Sequence, residues 1–245
     1  MLWYKSWLET RPRFVTSLTT LTVFCTVFVH HALSIVDNPT VQPVHGPSWR
    51  ADLNRILFVN QQFLVIMWIL SAVLLGMGGV IREKATGTAS LTLALPVSRI
   101  RLVTSRIGVG VVEAMALGIL PWLAVAGVMA IAKEPVVVSQ LASYTVLLVI
   151  GGLVFFAIGI LVSSLVGGEY TAPALAYGVV LLVAIISDAW FREYSVWRLV
   201  TGDLSINRST FLLPQHLPWL GILTSLLFAV VMMAGSAYSV CRRDF

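Results

Sequence analysis

Charged residues are scarce in this chain of 245 residues. Asp, Glu, Lys and Arg together make up 11% of it, whereas hydrophobic residues make up 58%. A soluble globular domain has about a quarter charged residues, so the composition excludes an ordinary soluble enzyme or binding module. The longest polar stretch, Ser187–His216, is too short to fold alone. The chain is therefore predicted to be a single transmembrane domain over residues 1–245.

Cysteine is nearly absent, and motifs for catalysis or nucleotide binding are absent altogether. Cys25 and Cys241 fall at different depths of different apolar segments, so we expect them neither to pair nor to bind metal. The sequence has no phosphate-binding loop of the form G-x-x-x-x-G-K-[ST], no G-x-S-x-G elbow and no H-E-x-x-H pair. We therefore expect no catalytic residue, no metal site and no cofactor in this chain, and ATP and Mg²⁺ would have to be bound by another subunit.

What the sequence does contain is six long apolar segments. About 20 helical residues cross a hydrocarbon core of about 30 Å, and five of the six segments reach that length. The segments are residues 14–36, 58–81, 107–132, 140–166, 171–187 and 217–240. The fifth is the shortest and is expected to end in irregular structure at Asp188. The prediction is an all-α membrane protein with six transmembrane helices.

The residues before the first span predict a separate short helix lying in the membrane interface. Trp3 and Trp7 are four residues apart and share a helix face, and Lys5 and Glu9 have the spacing of a helical ion pair. The alternative is the basic start of a signal peptide. That reading is disfavoured because the following apolar run is too long for the hydrophobic region of a signal peptide.

The distribution of Lys and Arg predicts that both termini lie inside. With this orientation ten of the sixteen basic residues fall on the inner side, close to span ends, where the positive-inside rule applies. The ten are Lys5, Arg11, Arg13, Arg82, Lys84, Arg99, Arg101, Arg106, Arg242 and Arg243. This bias also accounts for the net charge of +5, so nucleic acid is not an expected partner and membrane lipids are.

The most distinctive stretch is the basic turn between the second and third spans, residues 82–106. Gly87-Thr88 favours the start of a short helix, in which Leu91, Ala94 and Leu95 share one apolar face. Pro96 ends this helix because it lacks an N–H and disfavours a helical residue before it. The physical chemistry leaves two interpretations equally open: a basic anchor resting on lipid, or a surface that docks on a cytoplasmic partner.

These residues also carry a resemblance. The order Glu83-Lys84, Gly87-Thr88, Leu91 and Leu95-Pro96-Val97-Ser98-Arg99 resembles the signature of ABC-2 type permeases, the membrane subunits of ABC transporters. The six-span layout, the length and the terminal Arg242-Arg243-Asp244 are similar too, and the likeness is nearest to the small single-domain permeases of the NosY kind. Ser90 and Thr92 depart from the pattern, since an acid and a leucine are frequent there, which affects the expected polarity of the docking surface.

The resemblance implies that the stretch between spans two and three is a cytoplasmic coupling helix. It would dock on a separate ABC ATP-binding subunit, while a second permease subunit, identical or different, completes a dimer with spans two and five at its seam. A smaller contact is implied at Glu169, and the location would be a bacterial inner (plasma) membrane. The residues assigned to ATPase coupling are Glu83, Lys84, Gly87, Thr88, Leu91, Leu95, Pro96, Arg99 and Glu169.

Glu113 is the one acid well inside a predicted span. A carboxylate at that depth must face protein or water, which makes it a functional candidate. The favoured alternative is a hydrogen bond to a neighbouring helix or a neutral acid. Glu113 motivates the main alternative function, a self-contained proton-coupled secondary transporter. A non-transporting membrane assembly factor is the third hypothesis.

Two further patterns concern packing and polarity within the spans. Small residues recur at helix-packing spacing on the second, third and fourth spans, which favours close approach of their backbones. They are Gly76, Gly78, Gly79, Gly110, Ala114, Gly118, Gly151, Gly152 and Gly159. Asn60, Gln61 and Gln62 open the second span and are expected to line an exit vestibule or to mark the water boundary. The four histidines fall on the outer side, where ordinary hydrogen bonds are favoured over a metal or proton site.

Overall fold

The protein is almost entirely helical. The computed structural model describes residues 2–36, 49–77, 99–134, 137–166, 168, 170–214 and 216–242. Within these ranges no strand forms, apart from one isolated antiparallel bridge between Asn207 and Leu212. Six of the described helices are long and apolar enough to cross a membrane, which confirms the predicted fold class.

The described helices follow one another in chain order. Their bounds are α1 Leu2–Val36, α2 Trp49–Gly76, α3 Arg99–Ile131, α4 Val138–Leu165, α5 Thr171–Trp190, α6 Val196–Thr201 and α7 Trp219–Arg242. All except α6 are spanning candidates. A π-helical turn, Leu147–Gly151, interrupts α4, and a 3₁₀ turn, Arg192–Tyr194, separates α5 from α6.

The expectation of a separate N-terminal interfacial helix was wrong. Residues 2–13 continue without a break into the first span as α1, with Pro12 inside the helix. Proline removes one backbone hydrogen bond, the one that its own N–H would donate to the Leu8 carbonyl, and α1 continues on both sides of it. The start of α1 is also held by side-chain bonds to α3, so the polar residues of this stretch extend the helix rather than end it.

Other helix ends lie beyond the predicted ones, because polar residues extend the helices past their apolar parts. α2 begins at Trp49 and α3 begins at Arg99. α5 continues past Asp188 to Trp190, so the expectation of irregular structure at Asp188 was wrong. The Asp188 carboxylate accepts a hydrogen bond from Nε of Arg198 in α6, which satisfies an acid near the end of the span.

α4 lies at the centre of the bundle. In its most apolar 18-residue stretch 78% of the residues are buried, compared with 22% in α1 and α7 and 17% in α5. It contacts α2, α3, α5, α6 and α7. Its sequence is apolar on every face, as expected of a helix surrounded by others. The outer helices α1, α5 and α7 present apolar side chains outward, as a bilayer requires.

Glycines bring α2 and α4 into backbone contact, which confirms the predicted small-residue packing. A Cβ on Gly159 would lie 2.9 Å from the Val73 carbonyl oxygen, and one on Gly76 would lie 2.9 Å from the Ile160 nitrogen. Gly152 similarly admits the Trp68 ring, whose Nε1 donates to the Ala114 carbonyl at 3.0 Å. Gly78 and Gly79 lie outside the described residues.

The two cysteines do not pair, as predicted. Both are free thiols, Cys25 buried between helices and Cys241 exposed near the end of α7.

Substitution of Gly159 by alanine is expected to destabilise the bundle. The added methyl group would meet main-chain atoms of α2, which cannot rotate away, and such overpacking costs about 1–3 kcal/mol. Gly127→Ala is the matched control, because nothing lies within 4 Å of its added Cβ. Thermal unfolding of the detergent-solubilised variants, followed by tryptophan fluorescence, should show a lower Tm for Gly159→Ala only. Equal Tm values for the two variants would contradict the proposed contact.

Candidate functional site

Five helix ends meet at one end of the bundle, here called the coupling end. One pocket is lined by residues from the start of α1 (Ser6), the end of α2 (Gly76), the start of α3 (Arg106), the end of α4 (Ser163) and the end of α7 (Val240). α2 therefore ends, and α3 begins, at the same end of the bundle, on either side of residues 78–98 in the sequence. This is the stretch that sequence analysis singled out.

Most of the predicted coupling residues lie outside the described part of the chain. These are Glu83, Lys84, Gly87, Thr88, Leu91, Leu95, Pro96 and Glu169. Arg99 is the first residue of α3, and Glu113 lies farther along the same helix. The structure thus places the two helices that flank the predicted coupling segment, and it brings Glu113 together with α1.

The end of α2 is fixed by side chains from two neighbouring helices. Nη1 of Arg13 in α1 donates to the Leu74 carbonyl at 3.2 Å. The Ser163 hydroxyl of α4 lies 3.0 Å from the Gly76 carbonyl. The last carbonyls of a helix have no partner within it, so these bonds cap α2 immediately before residue 78.

The start of α3 packs against the end of α7. Leu102 and Val103 form a small apolar cluster with Val240, and the partly buried Ile107 covers it. The sequence predicted that α7 ends on the same side of the membrane as the stretch between the second and third spans. The cluster confirms that the end of α7 and the start of α3 are adjacent. Arg101 is exposed beside the cluster.

The first three turns of α1 lie along α3 through specific contacts. The Glu9 carboxylate accepts from Nη2 of Arg106 at 3.1 Å and lies 3.7 Å from the Lys5 ammonium. A Cβ on Gly108 would collide with the Trp3 indole, at 2.4 Å, so this glycine makes room for the ring. The ion pair that sequence spacing predicted between Lys5 and Glu9 is present, and Arg106 extends it across to α3.

Glu113 is buried and bonded to α1. Its side chain is almost fully covered, and the Thr10 hydroxyl donates to Oε1 at 2.6 Å. Oε2 has no hydrogen-bond partner among the described residues. The expectation that this acid faces protein rather than lipid is confirmed, and the partner is a threonine that the sequence did not single out.

The connection between α4 and α5 turns tightly at the coupling end. Val166 leaves the helix in extended conformation, and Gly168 has a φ of +134°, which an L side chain rarely adopts. α5 begins at Thr171. Glu169, the second predicted coupling contact, lies between α4 and α5 in the sequence and outside the described residues.

At the opposite end of the bundle, amide side chains hold the segment between α5 and α7. Nε2 of Gln61 donates to the Val200 carbonyl at 2.8 Å, and Nδ2 of Asn54 donates to the Thr210 carbonyl at 3.2 Å. Gln140 bonds both the carbonyl and the N–H of Leu213, at 3.1 and 3.0 Å.

Gln61 also has a partner within the bundle, since its Oε1 accepts from the Trp122 indole at 3.2 Å. Asn60 and Gln61 are fully buried, so neither lines a vestibule or marks a water boundary. The sequence analysis did not predict the hydrogen bonds of Asn54, Gln61 and Gln140. Amide side chains within apolar helices could have indicated them, because buried amides need hydrogen-bond partners.

Charge at this opposite end is paired as well. Arg198 bonds Asp188 and lies 3.9 Å from Asp203. The hydrogen bond that Arg198 donates to the Asp188 carboxylate raises the pKa of Arg198 above its ordinary value. His30, His31 and His216 are exposed. Within the described ranges, no three His, Cys, Asp or Glu side chains come together as a metal site would require.

Comparison with known proteins adds one finding. A profile of the family described as "ABC-2 family transporter protein" matches residues 14–195, which is about three quarters of the chain. The match includes the stretch between α2 and α3 and the connection between α4 and α5. No curated protein matches the chain. The extent of the family match, over five of the six spanning helices, shows that this chain is a member of the ABC-2 transporter family.

Proposed function

We propose that this chain is the permease subunit of an ATP-driven exporter in a bacterial inner membrane. Membership of the ABC-2 family and six spanning helices make it a membrane permease of an ABC transporter, and such permeases generally work with ABC ATP-binding subunits. Export, a dimeric permease of one or two kinds of chain, and a likeness to the small NosY kind follow from the sequence resemblance. The sequence has no nucleotide-binding motif, so ATP and Mg²⁺ would bind to the partner.

The observation that carries this proposal is the position of the connection between α2 and α3. It begins and ends at the coupling end, beside the starts of α1 and α3 and the ends of α4 and α7. Its sequence combines basic flanks with a leucine face. A partner bound there would pull on α2. The last carbonyls of α2 are bonded to α1 and α4, so the pull would reach the centre of the bundle through α4.

Two substitutions on the leucine face test the docking surface. Leu91→Asp together with Leu95→Asp should abolish co-purification of the ATP-binding subunit in mild detergent, because burying unpaired carboxylates in an interface costs several kcal/mol. The matched control is Ala89→Asp with Leu93→Asp, which adds the same charge to the same stretch on the side opposite the predicted face. An intact, ATP-hydrolysing complex with the leucine double variant would contradict the proposal.

A proton-coupled transporter is the rival that one observation favours. Glu113 is buried, and its Oε2 has no partner among the described residues, as a proton-accepting group would require. We propose instead that Glu113 is a structural acceptor for Thr10, which joins α1 to α3.

Glu113→Gln separates these roles, since the amide oxygen can still accept from Thr10 while the side chain cannot exchange a proton. We expect Glu113→Gln to keep the ATPase activity of the purified complex within about twofold of wild type, because one neutral hydrogen bond replaces a charged one. Liposomes that contain the permease alone and a trapped pH-sensitive dye should show no proton flux. If the permease alone carries a proton flux, and Glu113→Gln abolishes that flux, the rival function would be favoured.

A further inference from the structure

Two exposed arginines at the coupling end lie over aromatic rings. In α1 the Arg11 Cζ lies 5.2 Å from the centroid of the Trp7 ring, and the Trp7 ring lies 6.3 Å from the Tyr4 ring. At the end of α7 the Arg242 Cζ lies 4.7 Å from the centroid of the Tyr238 ring. Both guanidinium groups are within the distance of about 6 Å at which a ring attracts a cation. The ring covers one side of each guanidinium, and the N–H groups at its edges can still donate to a ligand.

The acids at this end do not neutralise these two arginines within the described part of the chain. Glu9 is engaged by Lys5 and Arg106, and Glu113 is buried against Thr10. These are the two acids in the starts of α1 and α3 and the end of α7, which together contain seven basic residues. The coupling end therefore carries a surplus of positive charge and favours an anion. The seven are Lys5, Arg11, Arg13, Arg99, Arg101, Arg106 and Arg242.

The lengths of α1 and α7 place both arginines at the depth of lipid head groups. α1 has 35 residues and is about 52 Å long, which exceeds a hydrocarbon core of about 30 Å, so its charged first turns lie outside the core. α7 has 24 residues and ends at Arg242, so it is about 36 Å long and its last turn lies at the edge of the core. Ser6 of α1 and Val240 of α7 line the same pocket, which places the two helix ends at one depth.

Each arginine also continues a helix face that is open to lipid. Val231 and Tyr238 are more than half exposed and share one face of α7 with its last residue. Leu8 and Val15 are nearly half exposed and share one face of α1 with Arg11. Acyl chains contact such apolar faces in a bilayer, so the head groups of the same lipids are the groups nearest to the two arginines.

We propose that Arg11 with Trp7, and Arg242 with Tyr238, each bind the phosphate of an anionic phospholipid in the leaflet at the coupling end. Each guanidinium donates paired hydrogen bonds to the phosphate oxygens, to which its planar fork is matched. An anionic lipid is favoured over a zwitterionic one because the surplus positive charge attracts it and repels a cationic head group. The two sites need the permease chain alone, so they are independent of the docking of an ATP-binding subunit.

Native mass spectrometry of the full-length permease measures this binding. The purified permease, without an ATP-binding subunit, is titrated in neutral detergent with phosphatidylglycerol or with phosphatidylcholine of the same acyl chains. We expect phosphatidylglycerol to bind about fivefold more tightly or better, which is the preference that one basic residue at an anionic membrane surface provides. Equal affinity for the two lipids would overturn the proposal.

Substitution of the arginines distinguishes the two sites from a general attraction of anions. Arg11→Gln and Arg242→Gln, made separately, should each weaken the binding of one phosphatidylglycerol about tenfold, because each removes a charged donor of hydrogen bonds. Arg101→Gln is the matched control. Arg101 is exposed at the start of α3 and stacks on no ring of the described residues, so its loss should weaken binding by less than about twofold. Equal losses in all three variants, or no loss in either of the first two, would overturn the sites.

The contribution of the ring is tested without a change of charge. Trp7→Leu should weaken the binding of one phosphatidylglycerol about two- to fivefold, because the Arg11 guanidinium loses the ring that holds it. Trp190→Leu is the control, since Trp190 is exposed at the end of α5, at the opposite end of the bundle. Equal affinities of these two variants would contradict a stacked pair as the binding unit.

The rival occupant of this face is a protein, and the same variants identify it. Arg11→Gln and Arg242→Gln should leave co-purification of the ATP-binding subunit unchanged, since they alter a lipid site and not residues 83–99. If both variants bind phosphatidylglycerol as the wild type does and instead lose the ATP-binding subunit, the face docks a protein and the proposal is overturned.

Discussion

The packing of the bundle depends on one contact between α2 and α4 in which main-chain atoms of the two helices meet directly. Gly76 and Gly159 leave no side chain between the two helices, and Ser163 lies within hydrogen-bonding distance of the last carbonyl of α2. Two packed helices without intervening side chains move together, because no rotamer change can absorb a displacement. α2 ends directly before residues 78–98, and α4 is the most buried helix. A displacement applied to that connection is therefore carried to the centre of the bundle.

The two ends of the bundle differ in how their polar groups are satisfied. At the opposite end, side-chain amides of Asn54, Gln61 and Gln140 bond main-chain groups of the segment between α5 and α7. Main-chain groups inside a membrane protein must be bonded internally, so this segment is held in one place. At the coupling end, side chains bond one another, as Thr10 does with Glu113, as well as the last carbonyls of α2, and a pocket lies between the helix ends. The described helix ends thus surround a pocket at the coupling end, whereas amide side chains hold the segment at the opposite end.

The sequence predicted the spans and the close glycine packing because both depend on composition and spacing, which the sequence states directly. It did not predict the continuous α1, since a proline beside charged residues is compatible with either a break or a tolerated interior position. It also misassigned Asn60 and Gln61, because polarity alone does not distinguish an amide that faces water from one that is buried in the bundle, as both are. Glu113 was correctly expected to face protein, but its partner Thr10 is more than a hundred positions away in the chain. The role of residues 83–99 in coupling stays a prediction, since most of them lie outside the described residues.

We propose that the connection between α2 and α3 contacts an ATP-binding subunit on the cytoplasmic side of the membrane. Photo-crosslinking tests it most directly, with benzoylphenylalanine in place of Leu95 in the full-length chain, irradiated in native membranes. The account predicts a crosslinked product that contains an ATP-binding subunit. The same group at Ser209, in the segment at the opposite end, should give no such product. Crosslinks from position 95 to lipid or to a second permease chain alone would contradict the account.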